Sequence, residues 1–188
     1  MTGTNADPLQ PGPETRKRRL YLLRHAKSGW DDPSVADFDR PLDARGERAI
    51  AAMAVHCRQI RLAPSLVLCS PSRRTRMTWR ALSQAISEPP RLLFPEELYG
   101  ASAKDLADCI ARNARGSVEI LVIGHNPGMH DFALSLAGAG DDSDQFARLQ
   151  RKFSTAALAT FNISAPSWDD LLAAGGDLTG FVTPKQLV

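Results

Sequence analysis

Three short stretches of this chain each put a histidine or an arginine just past an apolar run. They are Arg24-His25, Arg74 in Ser70-Pro71-Ser72-Arg73-Arg74, and His125 in Gly124-His125-Asn126-Pro127-Gly128. Two arginines and two histidines suit phosphoryl chemistry. Arginine offers phosphate oxygens a rigid fork of donors and keeps its charge at any working pH. Two such forks can hold a phosphoryl group and neutralise its equatorial oxygens while it transfers. A neutral imidazole can attack phosphorus and carry the group as phosphohistidine, and a second can donate hydrogen bonds to the same oxygens. Asn126-Pro127-Gly128 also reads as a helix start, with Asn126 as the cap and Pro127 in the first helical position. Amides there favour an anion.

For these groups to meet, the apolar runs before them must be neighbouring strands. Residues 19–24, 65–69, 91–94, 118–123, 156–163 and 178–183 read as strands, the continuous run 118–123 suiting a parallel strand covered on both faces. From Asp43, Ala49, Met53, Cys57 and Ile60 recur at helical spacing, an element ended by Pro64. Met77, Ala81, Leu82 and Ala85 outline a second helix, stopped by Pro89-Pro90. Ser102 and Asp105 form a capping-box pattern ahead of Leu106 and Ile110, residues 129–136 form a short helix, and 138–144 a surface loop. Strands alternating with helices give an α/β domain with a mainly parallel sheet, and in such sheets the site lies beyond the carboxyl ends of the strands. All three chemical stretches fall there.

With 188 residues the chain is long enough for one core-bearing domain, read as residues 18–188 after a disordered tail at 1–17 that carries Pro8, Pro11 and Pro13. A net charge of +2 favours no particular partner, and the basic run Arg16-Lys17-Arg18-Arg19 lacks the interleaved aromatics of a nucleic-acid site. No apolar stretch is long enough for a membrane span. Cys57, Cys69 and Cys109 have neither disulfide nor metal spacing, which fits a reducing compartment such as the cytoplasm. A phosphate-binding GxxxxGK[ST] loop is absent, and His125 and His130 are not spaced as a helical metal pair, so no cofactor and no metal are expected.

Together the motifs resemble those of the histidine phosphatase superfamily, the phosphoglycerate-mutase-like proteins, and most closely its SixA-type phosphohistidine phosphatases. Arg24-His25-Ala26-Lys27-Ser28-Gly29-Trp30 is similar to that branch's opening motif. Pro41-Leu42 with Gly46, Ser70-Pro71 with Arg74 and Thr78, and Gly124-His125-Asn126-Pro127 follow in the family's order. The resemblance implies a three-layer α/β/α sandwich whose mainly parallel central sheet has an antiparallel edge. It implies His25 as nucleophile, Arg24 and Arg74 as phosphate ligands, and His125 completing the pocket. Arg73 competes for the second arginine role, which counting from Ser70-Pro71 gives to Arg74. Ser28 either contacts phosphate or caps its turn, Lys27 is a surface charge, His56 lies on the first helix as a surface or flanking residue, and His130 stands behind the site or outside it.

The general acid is the weak part of the match. Asn126 stands where acid-phosphatase branches have aspartate, Asp31 stands where mutases have asparagine, and Glu97 or Glu96 lies near the position of the mutase glutamate. An alkoxide leaving group needs such an acid. Imidazole, with a conjugate-acid pKa of about 6.5, leaves phosphorus with little help. The expected activity is therefore metal-independent removal of phosphate through a phosphohistidine intermediate, releasing inorganic phosphate from a phosphohistidine-bearing signalling or carrier protein. A small-molecule phosphomonoesterase and a non-catalytic phosphate-binding module are the alternatives. Neither nucleic acid nor membrane is expected as a partner.

Overall fold

Period-2 alternation on two faces explains the sheet. In β1 (Arg18–Arg24), Leu20 and Leu22 enter one core while Tyr21 and Leu23 enter the other. The same split divides Leu66 and Leu68 from Val67 and Cys69 in β2 (Leu66–Cys69), and Ile120 and Val122 from Leu121 and Ile123 in β4 (Glu119–Gly124). Strands apolar on both faces must be covered on both. The computed structural model describes residues 18–30, 32–138 and 143–187. In them β3 (Arg91–Leu93), β5 (Leu158–Ile163) and β6 (Asp177–Val182) complete a six-stranded sheet of order β3-β2-β4-β1-β5-β6. β1 to β4 pair in parallel, while β5 and β6 form an antiparallel edge. The expected three-layer sandwich with an antiparallel edge is what the chain adopts. The expected tail at 1–17, with Arg16 and Lys17 of the basic run, and Asp31 lie outside the described residues; Arg18 and Arg19 open β1.

One layer holds α1 (Ala44–Gln59) and α2 (Arg73–Ser83), whose Ile50, Met53, Cys57, Trp79 and Leu82 fill one core. On the opposite face lie α3 (Ala103–Asn113), α4 (Gly128–Ala137), α5 (Asp144–Arg151) and the short α6 (Leu171–Ala174). The Ser102–Asp105 capping box forms as read, each residue bonding the other's backbone amide. The prolines do not end the first two helices. α1 stops at Gln59, where the chain turns through Arg61 at φ 54°, and α2 stops at Ser83, followed by turn bonds from the Ala85 and Ile86 amides. Asn126 does not cap α4: its Nδ2 donates instead to the Phe153 carbonyl (3.0 Å), and the helix starts at Gly128 without a side-chain cap. α5, which has no counterpart in the sequence reading, is capped by Ser143 and buries only Phe146 and Leu149.

Candidate active site

Register brings the chemistry together. In the parallel ladder Arg24 pairs with Gly124, and Ile123 pairs with both Leu23 and Cys69, so β1, β4 and β2 end level. The strands continue as hydrogen bonds one residue further, from the His25 amide to the Gly124 carbonyl (3.1 Å) and from the Ser70 amide to the Ile123 carbonyl (2.9 Å). His25, Ser70 and His125 thus share one rim, and the two imidazole centroids lie 5.0 Å apart.

A carbonyl only accepts, so His25 Nδ1 is the protonated nitrogen and donates to the Ala26 carbonyl (2.7 Å). Nε2 keeps its lone pair. Burial, reinforced by Arg74, Arg24 and Arg40, pushes the His25 pKa down to about 4. His125 is read the same way. Arg74 Nη2 can only donate, here to Nδ1 at 3.4 Å, so Nε2–H donates to Ser70 Oγ at 2.8 Å. Burial, then the neighbouring His25 and Arg74, push its pKa down to about 3. Both rings are neutral at pH 7 in the free protein.

The two arginines differ in their compensation. Arg24 donates to the Phe153 carbonyl (2.8 Å), has a buried Nε without a partner, and has its pKa lowered by burial alone. It is a desolvated cation without a described carboxylate partner. Arg74 is buried at the start of α2, where it pairs with Asp37 (Nη2 to Oδ2, 3.0 Å) and faces His125, whereas Arg73 is exposed and reaches only the Asp39 carbonyl. Thr78 ties this helix to the loop after β1: its Oγ1 accepts the Ala26 amide (3.0 Å) and donates to the Arg74 carbonyl.

Three residues that the sequence reading passed over complete the rim. Arg40 is buried, donates to Ser28 Oγ (3.0 Å) and Asp37 Oδ1 (2.9 Å), and stacks on Trp30. Ser28 therefore accepts from Arg40 in this state. Asp37 binds Arg74, Arg40 and the Tyr99 hydroxyl (2.7 Å); the Tyr99 hydrogen bond first, then the arginines, hold its carboxyl down at about 2. Tyr99 sets its ring edge-on to His125 at 5.5 Å. The available signals were slight: an arginine directly before Pro41-Leu42, acids in an aperiodic loop, and a tyrosine two residues after Glu97. Among the described residues, three guanidiniums against one carboxylate give the rim a positive charge suited to a dianionic phosphoryl group.

Glu96 and Glu97 do not join this group. The turn Glu96–Leu98 buries Leu98 and sends both carboxylates to solvent, where Glu97 pairs with Arg112 (2.8 Å) and its pKa is lowered by that bond. Neither forms a hydrogen bond or ion pair with Arg24, His25, Arg74 or His125. His130 donates from Nε2 to the Leu149 carbonyl (2.7 Å) and packs edge-on against Phe153, supporting the loop that anchors Arg24. Among the described residues no group of three or more His, Cys, Asp or Glu side chains is arranged to hold a metal ion.

The profile of the histidine phosphatase superfamily (branch 1) matches residues 20–94. An uncharacterized protein of Mycobacterium tuberculosis is 34% identical over 164 residues, spanning 87% of this chain and 100% of the relative. An uncharacterized chloroplastic protein of Arabidopsis thaliana is 31% identical over 184 residues, spanning 91% and 80%. Among solved structures, a candidate phosphohistidine phosphatase SixA from Nakamurella multipartitia is 29% identical, with TM-score 0.78 over 89% of this chain and 96% of its own.

Proposed function

This chain belongs to the histidine phosphatase superfamily, in its SixA-like branch, and from that premise we propose a phosphatase that works through a phospho-His25 intermediate on phosphohistidine carried by a protein. The observation that carries the reading is the tautomer of His25: Nδ1 is held by the Ala26 carbonyl, so a bare Nε2 lies within the arginine-rich rim. Arg24 and Arg74 hold the phosphoryl oxygens, with His125 completing the pocket. Nε2 forms a bond to phosphorus as the P–N bond to the substrate imidazole breaks. The leaving ring already bears a proton on its other nitrogen and departs neutral. Water then attacks phosphorus, the Nε2–P bond breaks, and inorganic phosphate and a proton are released.

Substrate choice follows from the carboxylates. Among the described residues Asp37 is the acidic side chain at the rim, and its three donors keep it ionised at neutral pH, so it holds no proton for an alkoxide. A P–N bond to imidazole asks for none. No step needs a metal, so EDTA should leave turnover unchanged. Cytoplasmic residence is part of the same reading, resting on three thiols that are free and buried. The test compares kcat/KM for a histidine-phosphorylated carrier protein and for an aryl phosphate. A higher kcat/KM for the phosphoprotein is expected. Faster turnover of the aryl ester would make the protein a small-molecule phosphomonoesterase.

A further inference from the structure

A cleft of about 1030 Å³ opens beside the catalytic rim, and Arg24 lines it. Around it stand Lys27 from the loop after β1, Arg45 and Arg48 from the start of α1, Lys152 from the loop before β5, and Lys185 near the C-terminus. No described carboxylate lines this space, although the chain as a whole carries 23 basic residues against 21 acidic ones. The charge is therefore concentrated here by the fold and does not follow from composition. Apart from Arg24, none of these cations makes an ion pair or side-chain hydrogen bond with another described residue, and all five are exposed. Their placement also has a local cost. Arg45 lies in the first turn of α1, where the helix dipole disfavours a cation, and Arg48 stands one turn on with the same sign.

The lining identifies the kind of anion. It has no aromatic side chain, so nothing stacks a nucleobase. Its cations sit on four separate segments at the ends of long, untethered side chains, an arrangement that follows an extended acidic surface better than it clamps one phosphate, which calls for converging forks. Ser154 and Thr155 add hydroxyls between them. Next to the cleft the same loop is fastened to the nucleophile: the Ala156 amide donates to both the Arg24 and His25 carbonyls (3.1 Å each). Docking in the cleft and transfer at His25 are thereby held in one fixed frame.

We infer that this cleft receives an acidic surface of the phosphoprotein substrate beside its phosphohistidine, with Arg24 joining the docking surface to the catalytic rim. The inference rests on the phosphohistidine reading above. Its test uses two synthetic phosphohistidine peptides of equal length, one flanked by aspartates and the other by asparagines, with an aryl phosphate run in parallel. At low ionic strength kcat/KM for the aspartate peptide should exceed that for the asparagine peptide by about tenfold, and the ratio should shrink as salt screens the cleft. In R45E/R48E, and separately in K152E, the ratio should fall toward one, the asparagine peptide serving as each variant's internal reference. Equal rates on both peptides in the parent protein, or a preference unchanged in both variants, would overturn the docking site and leave the phosphohistidine reading standing. Hydrolysis of the aryl phosphate with neither peptide turned over would remove both.

Discussion

With Nδ1 tied to the Ala26 carbonyl, His25 has one ring nitrogen left for chemistry, and burial beside arginines keeps it unprotonated well below the usual histidine range. Proton NMR of the free protein should show the His25 and His125 ring resonances without inflection between about pH 5.5 and 8, since their pKa values lie near 4 and 3. An inflection near 6.5 in either ring would contradict the burial described. Arg74→Ala should cost about 2–5 kcal/mol of transition-state stabilisation, read from the fall in kcat/KM, the range for truncating one partner of a buried charge pair. Arg73→Ala should change it less than about threefold, as for an exposed charge. That contrast was legible from counting, since Arg74 and not Arg73 follows Ser70-Pro71 at the family's spacing. Asp37, Arg40 and Tyr99 were not. Their loops have no period, and only the turn Asp37–Asp39 folding against α2 brings that carboxylate to Arg74.

At the level of elements, the strand ends were readable because apolar runs 66–69 and 120–123 stop where polar chemistry begins. The level register of β1, β4 and β2 then does the rest. Gly46 marks where α1 closes on the loop after β1. A Cβ there would collide with the Lys27 carbonyl oxygen, while Asp43 caps the helix through the Gly46 amide. Gly46→Ala should therefore cost about 1–3 kcal/mol in urea unfolding, as overpacking does, and should lower turnover by shifting the loop that bears His25. A variant as stable and as active as the parent would mean that this contact is loose. Helix ends were harder to place. Asn126 has the ideal residue type for a cap, yet a tertiary partner, the Phe153 carbonyl, takes its side chain. α5 escaped notice because eight residues with two buried apolar side chains leave too short a period to detect.

For the whole molecule, the pKa shifts set how stability depends on pH. His25 and His125 have folded pKa values near 4 and 3, below an unfolded value of about 6.5. The unfolded chain therefore binds more protons between those limits, and stability is fully present above pH 6.5 and falls as pH drops from 6.5 toward 4. Asp37, held near 2, adds a further loss between about pH 4 and 2. Denaturant midpoints measured across this range should fall steadily below pH 6.5, with a shallower decline in His125→Ala. Transfer of the phosphoryl group to His25 is a covalent step and can be tested directly. The protein is mixed with a 32P-labelled phosphohistidine protein and quenched within milliseconds in alkaline detergent, which spares P–N bonds, and peptide mapping then locates the label. Label on His25, rising and decaying with turnover and absent from His25→Ala, is the predicted result. Release of labelled phosphate at full rate by His25→Ala, or by the parent without any label passing through His25, would contradict it.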